Sequence, residues 1–172
     1  MEKDAGAICI RAATPADADS VASVLSESFA EYEPLYTPGG YAATTPAGEQ
    51  IRARWHEGPV WVAFRDAVVV GTVSAVPRGE ELYVRSMAVT PSARGRRAGE
   101  LLLERVEDFA LAHGFKRLTL TTTPFLARAI RLYESAGFRR SGRGPLDLFG
   151  TPLFEMVKDL GRGGVDGDSR IV

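Results

Sequence analysis

Ser86-Met87-Ala88-Val89-Thr90-Pro91-Ser92-Ala93-Arg94-Gly95-Arg96-Arg97-Ala98-Gly99 is the stretch on which the fold turns. An apolar, strand-like run ends at Val89. Pro91-Ser92 breaks it, and a helix opens within an Arg- and Gly-rich turn. The start of a helix leaves backbone N–H groups unpaired and carries a partial positive charge. Glycine lets a ligand approach that backbone closely. The combination suits phosphate or pyrophosphate, and Arg94, Arg96 and Arg97 add guanidinium groups that pair with phosphate oxygens. There is no G-K-[ST] sequence and no G-x-G-x-x-G spacing, which excludes two familiar phosphate loops. Taken alone, the segment also reads as a turn with surface arginines.

Working outward, the periodicity predicts strands over residues 60–64, 68–76 and 80–89, the first two as a hairpin. Residues 100–113 form a predicted helix with Leu102, Val106, Phe109 and Ala110 on one stripe and Gly114 at its end. A strand over 118–122, a helix over 125–136 closed by Gly137, and strands over 138–143 and 153–157 follow. Before the hairpin come a strand at 8–12, a helix from Thr14-Pro15-Ala16-Asp17 to about residue 30, a long loop over 31–46 rich in Pro, Gly and Tyr, and a helix over 47–56. This order of strands and helices implies an α/β (α+β) layered fold with a largely antiparallel sheet. Residues 1–160 read as a single domain. Residues 161–172, with four glycines and little to pack, read as a frayed tail.

Composition removes other classes. The chain of 172 residues has a net charge of −1, which argues against a nucleic-acid partner. Its one cysteine, Cys9, excludes an intramolecular disulfide and reads as a small buried strand residue. Two histidines give no basis for a metal site. The first residues, MEKDAG, lack the apolar core of a signal peptide, and no apolar run is long enough to span a bilayer. These features lead us to expect a cytoplasmic chain with no membrane partner. The neutrality hides an asymmetry: residues 82–99 hold four arginines and no acid.

Two further motifs stand in register. Ser86-Met87-Ala88-Val89 with Pro91 precedes Arg94-Gly95-Arg96-Arg97-Ala98-Gly99, and Ala129-Ile130-Arg131-Leu132-Tyr133-Glu134-Ser135-Ala136-Gly137-Phe138 follows one strand later. Together they resemble the GNAT superfamily of acetyl-CoA-dependent N-acetyltransferases. The likeness is sharp over residues 82–140 and looser elsewhere. It implies a mixed, mostly antiparallel sheet of about seven strands flanked by about four helices. It also implies that the backbone of Arg94, Gly95, Arg96, Arg97, Ala98 and Gly99 binds the coenzyme A pyrophosphate, with acetyl-CoA as co-substrate and no metal. Met87, Ala88 and Val89 would splay from the neighbouring strand and meet the pantetheine arm. A backbone N–H near Val89 would polarise the thioester carbonyl. Leu126 and Ala129 would lie along the cofactor, and Tyr133 would be the acid beside the departing sulfur. Three positions depart from the family pattern. Arg97 stands where a central glycine is usual, Leu126 where many members have an Asn, and Tyr83 where some carry a Glu base.

The reaction the resemblance implies is direct transfer to an amine, which must lose a proton before attack. Glu80, Glu81, Tyr83, Glu31, Glu33 and His56 are candidate bases, none singled out by spacing. His113 suits the end of its helix. Residues 29–56 and 144–152 would build the acceptor site, bringing Tyr32, Tyr36, Tyr41, Trp55 and Phe149 together with Glu31, Glu33 and Glu57. Aromatics with acids suit a small cationic amine. The same aromatics could instead pin a loop to the core. The expected partner is a small-molecule amine or amino acid. A protein N-terminus or lysine, and a non-catalytic acyl-CoA-binding module, are the alternatives. A homodimer is common among look-alikes and is not readable here.

Overall fold

A computed structural model describes residues 6–161. Eight strands form one mixed sheet in the order β1-β2-β3-β4-β5-β8-β6, with β7 paired to β8. The strands are β1 (Cys9–Ala12), β2 (Val60–Arg65), β3 (Val68–Arg78), β4 (Glu81–Val89), β5 (Arg117–Thr122), β6 (Arg139–Arg140), β7 (Leu146–Leu148) and β8 (Thr151–Asp159). Among the described residues only the β4–β5 pairing is parallel. The helices are α1 (Ala18–Phe29), α2 (Pro38–Thr44), α3 (Gly48–Ala53), α4 (Ala98–Ala112) and α5 (Ala127–Ser135). The expected mixed, mostly antiparallel architecture is thus present, with one more strand and one more helix than the sequence suggests. The tail expected over 161–172 lies, apart from Gly161, outside the described residues.

The period-two alternation of β2 shows how the sheet is covered on both faces. Trp61 and Ala63 join a core with Leu102, Leu103, Val106 and Ala110 of α4. Val62, between them, joins a second core with Val21, Val24 and Leu25 of α1 and Ile51 of α3. The two apolar clusters therefore sit on opposite sides of one sheet.

Five readings are corrected. The expected loop over 31–46 contains a 3₁₀ turn, Ala30–Leu35, and then α2. The Pro–Gly-rich run that suggests a loop is a capped helix start. Pro38 occupies its first turn, and the Thr37 hydroxyl accepts the Gly40 N–H at 3.0 Å. The same hydroxyl donates to the Phe149 carbonyl at 2.8 Å, tying α2 to the β7–β8 turn. The helix expected over 47–56 stops at Ala53 and gives way to a 3₁₀ turn, Trp55–Glu57. The helix expected from 125 begins at Ala127. The strand expected over 138–143 shrinks to Arg139–Arg140, because Gly142 turns the chain at φ +76°. Cys9 is exposed on edge strand β1 rather than buried.

The helix start read at Thr14-Pro15-Ala16-Asp17 is an electrostatic clamp. Arg11 reaches both Asp17 oxygens, at 2.8 and 2.9 Å, and the Thr14 N–H donates to the same carboxylate at 2.8 Å. The Arg11 bonds are the main cause that holds the Asp17 carboxyl down at about 2. A depressed carboxylate stabilises the fold above its ordinary range, about pH 4, and that stability drains away as pH falls towards its folded value. Arg11 is half-exposed, so screening leaves about 1 kcal/mol of the effect. Asp17→Asn should therefore cost about that much at neutral pH and flatten the acid limb of the stability curve. Urea denaturation at neutral pH and near pH 3 would show both.

Candidate active site

The site begins where the sheet comes apart. β4 and β5 run parallel but pair only at Glu81–Arg117, Leu82–Leu118 and Tyr83–Thr119. β4 continues to Val89 and β5 to Thr122, so a wedge opens between their C-terminal ends. A bulge in β4 sharpens it. The β3–β4 register shifts between Thr72 and Ser74, and Ser86 takes a left-handed φ of +52°. One inserted residue reverses the side-chain alternation. Before the bulge Leu82 and Val84 face the α4 core; after it Met87 and Val89 do, while Ala88 joins the α1 core. A cavity of about 720 Å³ fills the wedge.

The foot of the wedge is the turn into α4. Pro91–Ala93 makes a 3₁₀ turn, and Gly95 sits at φ +79°. The first α4 amide to find a helical acceptor is that of Leu101, which donates to the Arg97 carbonyl at 3.0 Å. The amides before it are the free donors that a helix start presents. Gly99 packs closely on α5: a Cβ there would lie 2.7 Å from Leu132 Cδ2, so that side chain would have to shift. Arg97, the departure from glycine, holds the left-handed conformation itself at φ +63° as the N-cap of α4. Its guanidinium swings outward to Glu104 at 3.5 Å, an exposed pair of little worth. Left-handed backbone costs an L-residue about 1 kcal/mol, partly offset because glycine loosens the unfolded chain. Arg97→Gly should therefore raise stability by about 0.5 kcal/mol, measurable as a higher urea midpoint.

Tyr133 of α5 is buried and packs against Phe138, with ring centroids 5.9 Å apart, yet it lines the cavity. Burial, first of all, pushes its phenol above the ordinary range, so the proton stays on at neutral pH. Its hydroxyl makes no hydrogen bond among the described residues. Tyr83, across the wedge, is held to Thr121 at 2.8 Å and lies under the Arg78 guanidinium.

Of the sequence-named cofactor positions, Met87, Ala88, Val89, Arg94, Gly95, Arg97, Ala98, Gly99, Leu126 and Ala129 line this cavity with Tyr133, whereas Arg96 does not. Among the candidate bases only Tyr83 lines it. Glu80 is exposed and bound to Lys116, and Glu31 is bound to Arg94, each at 2.6 Å. Glu81, Glu33 and His56 also lie off its wall. The acceptor segments deliver Phe29, Tyr32 and Tyr36 to the wall, but Tyr41, Trp55 and Phe149 stay off it, as do Glu31, Glu33 and Glu57. In place of acids the wall has Arg54 and Arg85, which the sequence reading missed. Glu57 instead grips Arg85 at 2.6 Å. Four buried side-chain atoms lack a partner among the described residues: Ser28 Oγ, Arg54 Nε, Arg85 Nε and Thr123 Oγ1. All four belong to residues of this cavity.

A sheet split between two parallel strands, with a glycine-bearing helix start at its foot, is the architecture of the N-acetyltransferase fold. The chain belongs to the Acetyltransferase (GNAT) family, whose model matches residues 23–138. It is 42% identical over 84 residues to the "Probable N-acetyltransferase camello" of Xenopus laevis, covering 47% of this chain and 38% of that one. It is 42% identical over 91 residues to the IAA acetyltransferase of Azospirillum brasilense, covering 52% and 58%. The match thus spans less than two thirds of either relative. The PaiA N-acetyltransferase of Thermoplasma acidophilum, solved in complex with coenzyme A, superposes with a TM-score of 0.75 at 18% identity, over 90% of this chain and 99% of that one. No helix among the described residues is long and apolar enough to cross a membrane.

Proposed function

We propose that this chain is an acetyl-CoA-dependent N-acetyltransferase that acts on the primary amine of a small molecule or amino acid by direct transfer. The observation that carries the reading is the wedge itself, with the free amides of the α4 start at one end and the Tyr133 phenol on its wall. The residues present fit the coenzyme. The amides at the start of α4 suit a pyrophosphate, and the splayed edge of β4 at residues 87–89 offers unpaired backbone to an amide-bearing arm. Leu126, where an Asn is usual, contributes an apolar contact in place of a hydrogen bond. A reducing, cytoplasmic setting suits a chain whose single cysteine is exposed.

When bound, acetyl-CoA supplies the acyl group as a thioester. A C–N bond forms to the acceptor nitrogen as the C–S bond breaks. Tyr133 would give the proton that the leaving sulfur takes and regain one from solvent before the next turnover. The nitrogen sheds its own proton, and the Tyr83–Thr121 hydroxyl pair can pass it towards solvent. Calorimetry with acetyl-CoA, followed by thiol release across a panel of amines, tests the reading. Binding with amine-dependent thiol release is the expected result. Absence of acetyl-CoA binding overturns it, and binding without release to any amine leaves an acyl-CoA-binding module in its place.

A further inference from the structure

We infer that the acceptor carries a carboxylate beside its amine, and that Arg54 and Arg85 form the subsite that receives it. The inference rests on the acetyl-transfer reading and narrows its substrate class.

Arg85 lies on β4 two residues beyond Tyr83, immediately before the bulge. Arg85 lines the wedge cavity together with Tyr83 and Tyr133, and lines a small second pocket beside Ile51 and Trp55 as well. Arg54 closes α3 and lines the same cavity. The two guanidiniums share a single acid. Glu57 takes Arg85 at 2.6 Å, whereas Arg54 has no acidic partner among the described residues. The Nε of each is buried without a hydrogen-bond partner. Burial is the main reason the Arg54 guanidinium is pulled below its ordinary range, and the Arg85 charge adds to it. Two partly buried cations against one anion leave a net positive charge that a ligand anion would neutralise. The planar fork of a guanidinium matches a carboxylate, with two parallel N–H···O bonds.

The neighbouring wall excludes a bare cationic amine as the best fit. No Asp or Glu lines the cavity except Glu100, on α4 at the opposite end. Phe29, Tyr32 and Tyr36 supply an apolar face for a side chain: Tyr36 and Phe125 meet edge-on at 4.9 Å, and Tyr32 stacks on Phe125 at 6.4 Å. An arginine pair beside an aromatic wall is suited to a zwitterionic amino acid with an apolar body.

The test is acetyl-CoA-dependent thiol release with the full chain. Acceptors are the twenty L-amino acids, their amides, and the amines that lack only the α-carboxylate, such as phenethylamine beside L-phenylalanine. The best amino acid should exceed both its amide and its decarboxylated amine at least tenfold in kcat/KM. Arg54→Gln, which leaves no acid unpaired, should collapse that ratio at least tenfold, mainly through KM. Arg85→Lys should keep part of it, because charge remains while the fork is lost. Thermal melting confirms that the variants are folded. Equal or faster transfer to the decarboxylated amines overturns the inference and leaves acetyl transfer standing. So does an unchanged ratio in Arg54→Gln. Failure to release thiol with any acceptor overturns the acetyl-transfer reading as well.

Discussion

Tyr133→Phe should lower kcat for acetyl transfer about a hundredfold while leaving the protein at least as stable. The two halves of this expectation come from one observation. The residue is buried but lines the wedge, and its hydroxyl makes no hydrogen bond among the described residues. Removing it takes away a proton donor. It also takes away a hydroxyl without a protein partner among the described residues, and the ring contact with Phe138 survives. A residue that merely filled the core would keep kcat whatever the change in stability. A residue that only bound substrate would shift KM. Burial holds the phenol protonated, so the wild-type rate should show no Tyr133-dependent loss up to about pH 10. Steady-state kinetics with melting curves on the same preparation would separate these cases. An undiminished kcat removes Tyr133 from the chemistry.

Gly58→Ala should be the most damaging single methyl group in the chain. A Cβ at Gly58 would overlap the Ala75 carbonyl oxygen and come within 3.1 Å of the Ala75 carbonyl carbon and of Pro77 Cδ. The obstacle is mainly backbone in the middle of β3, where Ala75 is fully buried, so no rotamer can relieve it. Separating the strands would break the Ala75 N–H bond to the Pro59 carbonyl at 3.0 Å. A loss of about 3 kcal/mol is expected, or roughly 10 °C in Tm for a domain of this size. Gly58 directly follows Glu57, whose carboxylate holds Arg85. Any folded remainder should therefore also discriminate acceptors poorly. Urea denaturation reads the first effect and acceptor selectivity the second. A loss under about 1 kcal/mol would mean that β3 yields more easily than its burial implies.

What could be read from the sequence divides by range. The α4 start was legible because Pro91, Gly95 and Gly99 act through local backbone rules. The hairpin of β2 and β3 was legible because its alternation is local too. Both motifs that identify the fold lie in one continuous stretch. The β4 bulge was hidden, because Ser86 carries no mark of a left-handed residue. Its position depends on pairing with β3. The helix α2 was hidden by residues that look like a loop and are held by Thr151 and Phe149, more than a hundred positions away. The arginine pair was hidden for the same reason. Arg54 reads as the solvated end of a helix and Arg85 as one more strand cation. Only the meeting of α3 with β4 turns them into a site. The acids expected there were misjudged because composition says which residues a segment holds, and not which way they point.

Only three rungs of backbone ladder join β4 to β5 among the described residues. On one side lie β1 to β4, clasped by α1 and α4; on the other lie β5, β8, β6 and β7. Whatever fills the wedge therefore acts as a missing strand, a strip of foreign backbone laid where the protein withheld its own. Filling it should stiffen the seam: amides of residues 84–89 and 120–122 should exchange more slowly once it is occupied. The fold has left an open join where its ligand would become part of the sheet.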